Sequence, residues 1–281
     1  MNAFATLQQV VVAAGLVVGW LAAAPHAARA QTPVAPAVEA MLVQGRLDDA
    51  VGQLNEQLRT DPGDDNARFA LGVTQTLRAV EHLVQSLYHH GLRPPWMMSL
   101  PFVRLPVPQN PDPTPLTNDA FRRMIDRFSR ELERAEATLA QIESDDVRLP
   151  LHFGLFRLDM NNDGRADGDE ALWKLFNAVS RARVDQQTAE GFLITFDKGD
   201  VHWLRGYCHL LQAVCDLHLA FDTQRLHDLT AQLFFPSAEI KHEFLRHRKG
   251  GGEPIPWQDM RDAIAFIHLM NLPVAEPHRL P

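Results

Sequence analysis

The chain has 281 residues, enough for one large domain or two small ones, and 46% of them are hydrophobic, which allows a sizeable core. Acidic residues outnumber basic ones by 35 to 27, giving a formal net charge of −8 with histidine neutral. This balance argues against nucleic acid or an anionic membrane surface as the main partner.

Residues 1–30 have the pattern of a signal peptide. The apolar run at residues 10–24 has the length of a signal h-region and is short for a membrane span. Residues 28–30 (Ala-Arg-Ala) then give a small-x-small cleavage site before Gln31. The sequence therefore predicts a periplasmic or secreted protein with no membrane association after cleavage. Because no Lys or Arg precedes the apolar run, an uncleaved anchor is the alternative.

Residues 31–93 are predicted to form a pair of helices. Gly45 precedes a helix with apolar residues at helical spacing, and the Asp61-Pro62 turn ends it before a Leu71-Gly72 pair in the next helix. This order resembles the junction between tetratricopeptide (TPR) repeats, but it does not recur downstream. The resemblance implies a TPR-like helical pair docked on its neighbour, either as a peptide-binding module or as a plain α-hairpin.

Residues 94–116 are predicted to form a proline-rich strap. Eight prolines in this stretch exclude helix and favour an extended backbone. Apolar residues such as Trp96 and Phe102 indicate that the strap lies on the helical body; a flexible linker is the alternative.

Residues 117–281 are predicted to form a second helical domain. It begins with a long helix capped at Thr117 or Asn118 and ending near Glu143, with an apolar stripe that includes Phe121, Phe128 and Leu132.

The most informative segment of the chain is residues 159–170, which read DMNNDGRADGDE. They fit the pattern D-x-[DN]-x-[DN]-G-x5-E at every specified position. Over about residues 150–180 the chain is therefore similar to EF-hand calcium-binding proteins. The resemblance implies that Gly164 makes the sharp turn and that Ca²⁺ is bound by hard oxygen ligands. These ligands are Asp159, Asn161, Asp163, the backbone carbonyl of Arg165, Asp167 and the bidentate Glu170.

Apolar residues on both sides of this loop predict an incoming and an outgoing helix. They are Leu155, Phe156 and Leu158 before the loop, and Leu172, Leu175 and Phe176 after it. The loop departs from the family at position 8, where Ala166 replaces the usual Ile, Val or Leu that pairs with a second hand. The sequence contains no second hand, so we expect a weak site; an acidic turn without metal is the alternative.

Residues 192–196 (FLITF) have β-propensity and could replace the backbone bridge that a second loop normally provides. The same five residues could also form a buried turn of helix.

Residues 200–221 are predicted to form a central helix with apolar residues on two sides. The polar stripe between those sides contains His202, Arg205, His209, Gln212 and Asp216. It is either a solvated or satisfied structural face, in which a buried His209 bonds to Arg205 or Asp216, or the floor of a catalytic cleft. Seven-residue steps of about 10 Å separate His202, His209 and Asp216, so they cannot share one metal.

Cys208 and Cys215 are predicted to be buried free thiols. They lie seven residues apart on one helix face, about 10 Å, which is too far for a disulfide bond.

The sequence thus predicts an all-α protein, a helical bundle with one EF-hand and an N-terminal TPR-like α-hairpin. The predicted function is calcium binding by an exported protein, in which Ca²⁺ stabilises the helical domain and a protein partner is bound. The alternative is an exported hydrolase-like enzyme with a His/Arg/Asp cleft and a structural calcium. We assign no catalytic residue.

Overall fold

The computed structural model describes residues 36–93, 107–180, 183–241 and 273–279. The predicted signal peptide at residues 1–30 and residues 94–106 of the proline-rich strap lie outside the described residues. Within them the regular secondary structure is helical apart from one two-stranded sheet and two isolated bridges, which confirms the predicted all-α class.

Three helices form the N-terminal part of the described chain: α1 (Pro36–Val43), α2 (Leu47–Thr60) and α3 (Asp65–His89). The side chain of Asp64 caps α3 by accepting the N–H of Ala67 at 2.9 Å. Helix α1 packs on α2, and α2 packs on α3. The N-terminal helices therefore pack in the order α1, α2, α3.

Helix α4 (Asn118–Leu139) lies against α3 along much of its length. Its N-cap is Thr117, one of the two predicted positions, and the Thr117 hydroxyl accepts the N–H of Ala120 at 3.0 Å. The two helices approach closely at Gly72, where a Cβ atom would lie 2.4 Å from the side chain of Leu139. Gly72 therefore permits this packing because it has no side chain.

The remaining helices are α5 (Leu172–Ser180), α6 (Gln186–Gly191), α7 (Lys198–Ala220) and α8 (Gln224–Phe234). Helix α7 packs on the side of α4 and forms a small core with it around Leu132, Cys208 and Cys215. A larger core joins α1–α3 to the segments that surround residues 159–170.

Strands β1 (Leu149–Leu151) and β2 (Ile194–Phe196) pair in an antiparallel ladder, with Leu149 opposite Phe196. The β-propensity of residues 192–196 is therefore realised as a strand. Its partner is the segment upstream of the acidic loop, so the strand does not replace the loop–loop bridge of a second hand.

The described part of the proline-rich strap lies on the helical body. Val107 and Leu116 are buried, the N–H of Thr114 donates to the carbonyl of His89 at 3.0 Å, and Leu116 accepts from the N–H of Glu239 at 2.8 Å. Among the helices of the described residues, none has the length and apolarity needed to cross a membrane.

Candidate metal centre

The segment that enters the acidic loop has a single 3-10 turn (Phe153–Leu155) and is extended from Phe156 onward, so the predicted incoming α-helix is wrong. Phe156, Leu158 and Met160 are buried and alternate with partly exposed residues, a period of two that is typical of a strand. The entering segment pairs with the segment that leaves the loop: the N–H of Leu158 donates to the carbonyl of Glu170 at 3.2 Å. The outgoing helix is confirmed as α5.

The first half of the loop folds around the side chain of Asp159. One carboxylate oxygen of Asp159 accepts the N–H of Gly164 at 2.9 Å, and the other accepts that of Asp163 at 3.2 Å. The side chain of Asp163 in turn accepts the N–H of Arg165 at 2.8 Å. Gly164 has a φ of 83°, in the left-handed region, so it makes the turn that the sequence assigned to it.

The last residue of the loop, Glu170, is buried and reaches back across it. Its two carboxylate oxygens accept the N–H groups of Met160 at 2.8 Å and Asp167 at 2.9 Å. Burial, with the nearby carboxylates of Asp167 and Asp159, raises the pKa of Glu170. The loop is thus closed by contacts between its first and last acidic residues and its own backbone amides.

The acidic side chains of the loop have little compensation from basic side chains. Among the loop carboxylates, Asp169 alone forms an ion pair within the described residues, with Lys174 at 2.5 Å. Asp169 is not one of the predicted ligands. In the described part of the chain, no three His, Cys, Asp or Glu side chains are already arranged as a metal-holding group. The carboxylates are held by N–H donors instead.

The residues nevertheless fit a hard cation in their chemistry. The predicted ligands are all oxygen donors, which Ca²⁺ prefers over transition metals. An ionised carboxylate offers about four lone-pair sites, so an oxygen that accepts an N–H can also bind an ion.

Helix α3 supplies two side chains that the sequence did not identify as part of this site. The carboxylate of Glu81, only 8% exposed, accepts the N–H of Asp159 at 2.7 Å. Gln85 donates its side-chain N–H to the carbonyl of Asp159 at 2.8 Å. Burial is the main cause that raises the pKa of Glu81 to about 7, and the charges of Asp159, Asp48 and Glu170 add to it. The sequence contained one signal for Glu81: it is an acidic residue on the apolar face of α3, between Leu77 and Val84.

The turn between α1 and α2 packs against the eighth position of the loop. A Cβ atom on Gly45 would lie 2.1 Å from the Cβ of Ala166, and the N–H of Arg157 donates to the carbonyl of Leu42 at 3.1 Å. The small residue at this position is therefore explained by close contact with the N-terminal helices. A cavity of about 320 Å³ remains between this turn, α3 and the loop, with Asp48, Glu81 and Asp159 in its wall.

The polar stripe on α7 does not form one cleft. Arg205 pairs with Glu136 of α4 at 2.9 Å, whereas Asp216 pairs with Arg279 at 2.9 Å. His209 lies 3.3 Å from Glu136, and its side chain is 61% exposed. The predicted buried bond from His209 to Arg205 or Asp216 is therefore wrong.

The second apolar side of α7 is more exposed than a central helix would require. Leu210 and Leu217 are 40% and 41% exposed, and both line an open groove of about 860 Å³ between α4, α7 and residues 278–279. Asp216 lines this groove, while His202, Arg205 and His209 do not. The stripe thus gives a catalytic cleft little support.

Both cysteines are buried free thiols, as predicted. Burial raises the pKa of Cys208 to about 11 and that of Cys215 to about 12, so neither thiol ionises readily at neutral pH.

No protein-family model matches the chain, and neither a curated protein nor a solved structure shows significant similarity to it.

Proposed function

We propose that the chain is an exported calcium-binding protein in which Ca²⁺ bound in residues 159–170 stabilises the helical domain, and that this domain binds a protein partner. The observation that carries the proposal is the set of predicted ligand carboxylates. Asp159, Asp163, Asp167 and Glu170 face backbone amides of one closed loop and form no ion pair within the described residues. A divalent cation would compensate their charge.

A bound cation would connect two parts of the structure. Asp159 is attached to α3 through Glu81 and Gln85, and Glu170 lies two residues before the first residue of α5. An ion held by both residues therefore ties the start of α5 to α3. Because the ion binds only the folded chain, it raises the free energy of unfolding.

Export is consistent with a weak site. A single hand without a paired loop is expected to bind Ca²⁺ with a dissociation constant of about 10⁻⁵ to 10⁻³ M. Calcium outside the cytoplasm reaches millimolar concentrations, which fill such a site. The signal-peptide pattern at residues 1–30 supports this location.

Support for a protein partner comes from α7. Leu210 and Leu217 lie seven residues apart, so they share one helix face, and both are exposed beside the groove. Exposed apolar side chains grouped in this way are typical of interaction surfaces. The enzyme alternative has less support because its four stripe residues are divided between separate ion pairs and solvent.

The test is a calorimetric titration of the chain from Gln31 onward with Ca²⁺, with Mg²⁺ as competitor. Glu170→Gln removes the bidentate carboxylate and should weaken Ca²⁺ binding at least about tenfold. Asp169→Asn is the matched control, since Asp169 lies in the same loop but is exposed and pairs with Lys174. Unchanged binding in Glu170→Gln, or equal losses in both variants, would contradict the proposed site.

A further inference from the structure

We propose that Glu81 and Gln85 of α3 position the first residue of the calcium loop and so supply the support that a second hand gives in a paired EF-hand. We call these two side chains the α3 clamp. The inference rests on the proposed calcium site and extends it to residues outside the loop.

The clamp holds both main-chain polar groups of one residue. The N–H of Asp159 donates to Glu81 at 2.7 Å, and its carbonyl accepts from Gln85 at 2.8 Å. Glu81 and Gln85 are four residues apart on α3, so their side chains share one helix face. Holding the N–H and the carbonyl together fixes the orientation of the peptide groups on both sides of Asp159.

Glu81 is buried although it is acidic, which indicates that its hydrogen bond to Asp159 has a specific role. A carboxylate is rarely buried without a partner, because removing its charge from water is costly. The partner here is a backbone amide, and the surrounding carboxylates of Asp48, Asp159 and Glu170 make the position more unfavourable. An apolar residue at position 81 would be compatible with the apolar face of α3, but it would leave the N–H of Asp159 without its acceptor.

The loop has a second contact with the N-terminal helices, in addition to the α3 clamp. Ala166, at the position where EF-hands pair with a second loop, packs against Gly45. The loop is therefore held at its first position by α3 and at its eighth position by the α1–α2 turn. A site that is already ordered loses less conformational entropy when it binds an ion.

We expect that removing the clamp weakens Ca²⁺ binding although every ligand is retained. Glu81→Ala and Gln85→Ala should each weaken binding by about tenfold, the usual effect of losing a group that orients a metal ligand. Glu81→Gln keeps an acceptor oxygen and should stay within about threefold of the unmodified chain. Ser86→Ala, whose hydroxyl bonds the carbonyl of His82 within α3, is the matched control and should have no effect.

The second readout is amide hydrogen exchange at Asp159 in the full chain without Ca²⁺. In the unmodified chain and in Glu81→Gln the amide should be protected, and in Glu81→Ala it should exchange at least about tenfold faster. Circular dichroism of each variant establishes that it is folded. If Glu81→Ala does not fold, Gln85→Ala tests the clamp instead, because it leaves the buried carboxylate of Glu81 in place.

The outcomes separate the two proposals. If the unmodified chain does not bind Ca²⁺ but the exchange results are as expected, the calcium proposal fails and the structural clamp remains. If Ca²⁺ binds but Gln85→Ala and Glu81→Ala bind as tightly as the unmodified chain, the clamp is overturned. Equal losses in Glu81→Gln and Glu81→Ala would also overturn it, because charge and not positioning would then explain the effect.

Discussion

The acidic loop and the polar face of α7 both concentrate charged side chains, but they balance their charges differently. On α7, Asp216 pairs with Arg279, and Arg205 pairs with Glu136. In the loop, the predicted ligand carboxylates accept backbone N–H groups, and Glu81 adds a further carboxylate beside them. The first region is neutralised by its own side chains, whereas the second has an excess of negative charge.

This difference separates a structural network from a candidate ion site. A carboxylate paired with arginine has its charge compensated whether or not a ligand is present. Carboxylates that are held only by amides repel one another, and a cation relieves that repulsion. We therefore expect the two regions to respond differently to substitution and to Ca²⁺.

The largest effect is expected from Gly45→Ala, at the contact between the α1–α2 turn and the loop. Gly45 has a φ of 71°, and its new Cβ would lie 2.1 Å from the Cβ of Ala166. Strain and overpacking together should lower the free energy of unfolding by about 2–4 kcal/mol, measured by urea denaturation without Ca²⁺.

Gly52→Ala is the control for that substitution. Gly52 lies in α2 with no atom within 4 Å of the added Cβ, so alanine should raise stability by about 0.5–1 kcal/mol. A destabilisation of equal size in both variants would show that the contact with Ala166 is unimportant.

The second prediction concerns calcium itself. At free Ca²⁺ a hundredfold above the dissociation constant, the free energy of unfolding should rise by about 2.7 kcal/mol. Glu170→Gln should show a smaller rise at the same Ca²⁺ concentration. A large calcium-induced increase in dye-accessible apolar surface would instead indicate a sensor that opens a groove.

The third prediction tests the ion pairs beside α7. Arg279 contacts Glu276 at 2.7 Å, Asp216 at 2.9 Å and Asp126 at 3.1 Å, so Arg279→Ala leaves three carboxylates without it. Because these groups are partly exposed, the loss of stability should be modest, about 1–2 kcal/mol, and smaller at high salt. The Ca²⁺ affinity should not change.

Arg59→Ala provides the comparison for Arg279. Arg59 forms an exposed ion pair with Glu56 on α2, and its loss should cost less than about 0.5 kcal/mol. If Arg279→Ala weakens Ca²⁺ binding as strongly as Glu170→Gln does, the two regions are not independent.

The smallest effect is expected from His209→Ala. The imidazole is mostly exposed and lies 3.3 Å from Glu136, which Arg205 also contacts. Its removal should lower the free energy of unfolding by less than about 1 kcal/mol, measured at neutral pH by urea denaturation. His202→Ala, on the same stripe and exposed, is the control; a loss above 2 kcal/mol for His209 would require a buried role for this side chain.

Local patterns predicted the parts of the fold that depend on neighbouring residues. The hydroxyl of Thr117 caps α4, and Gly164 adopts the left-handed turn of the loop, because both effects involve residues within a few positions of each other. That Cys208 and Cys215 are free also followed from local information, because their spacing along one helix is too long for a disulfide bond.

Other features could not be read locally. The apolar residues before the loop fit a helix side as well as a strand, and the extended form of Phe156 and Leu158 is set by pairing with residues 170–172. His209 was expected to be buried because its neighbours in sequence are apolar. Its exposure depends instead on which side of α7 packs against α4.

The sequence by itself determined the helical class and the acidic loop with its glycine turn, since both depend on residue type and short spacing. The calcium ligands that the loop pattern names stay a prediction. The tertiary structure decided what surrounds that loop. Glu81 and Gln85 are more than 70 positions away from Asp159 in the chain, and they reach its main chain because α3 packs beside the loop. Gly45 likewise contacts Ala166 because the α1–α2 turn packs against the loop. Contacts between residues so far apart in the chain depend on how the helices pack, which short sequence patterns do not determine.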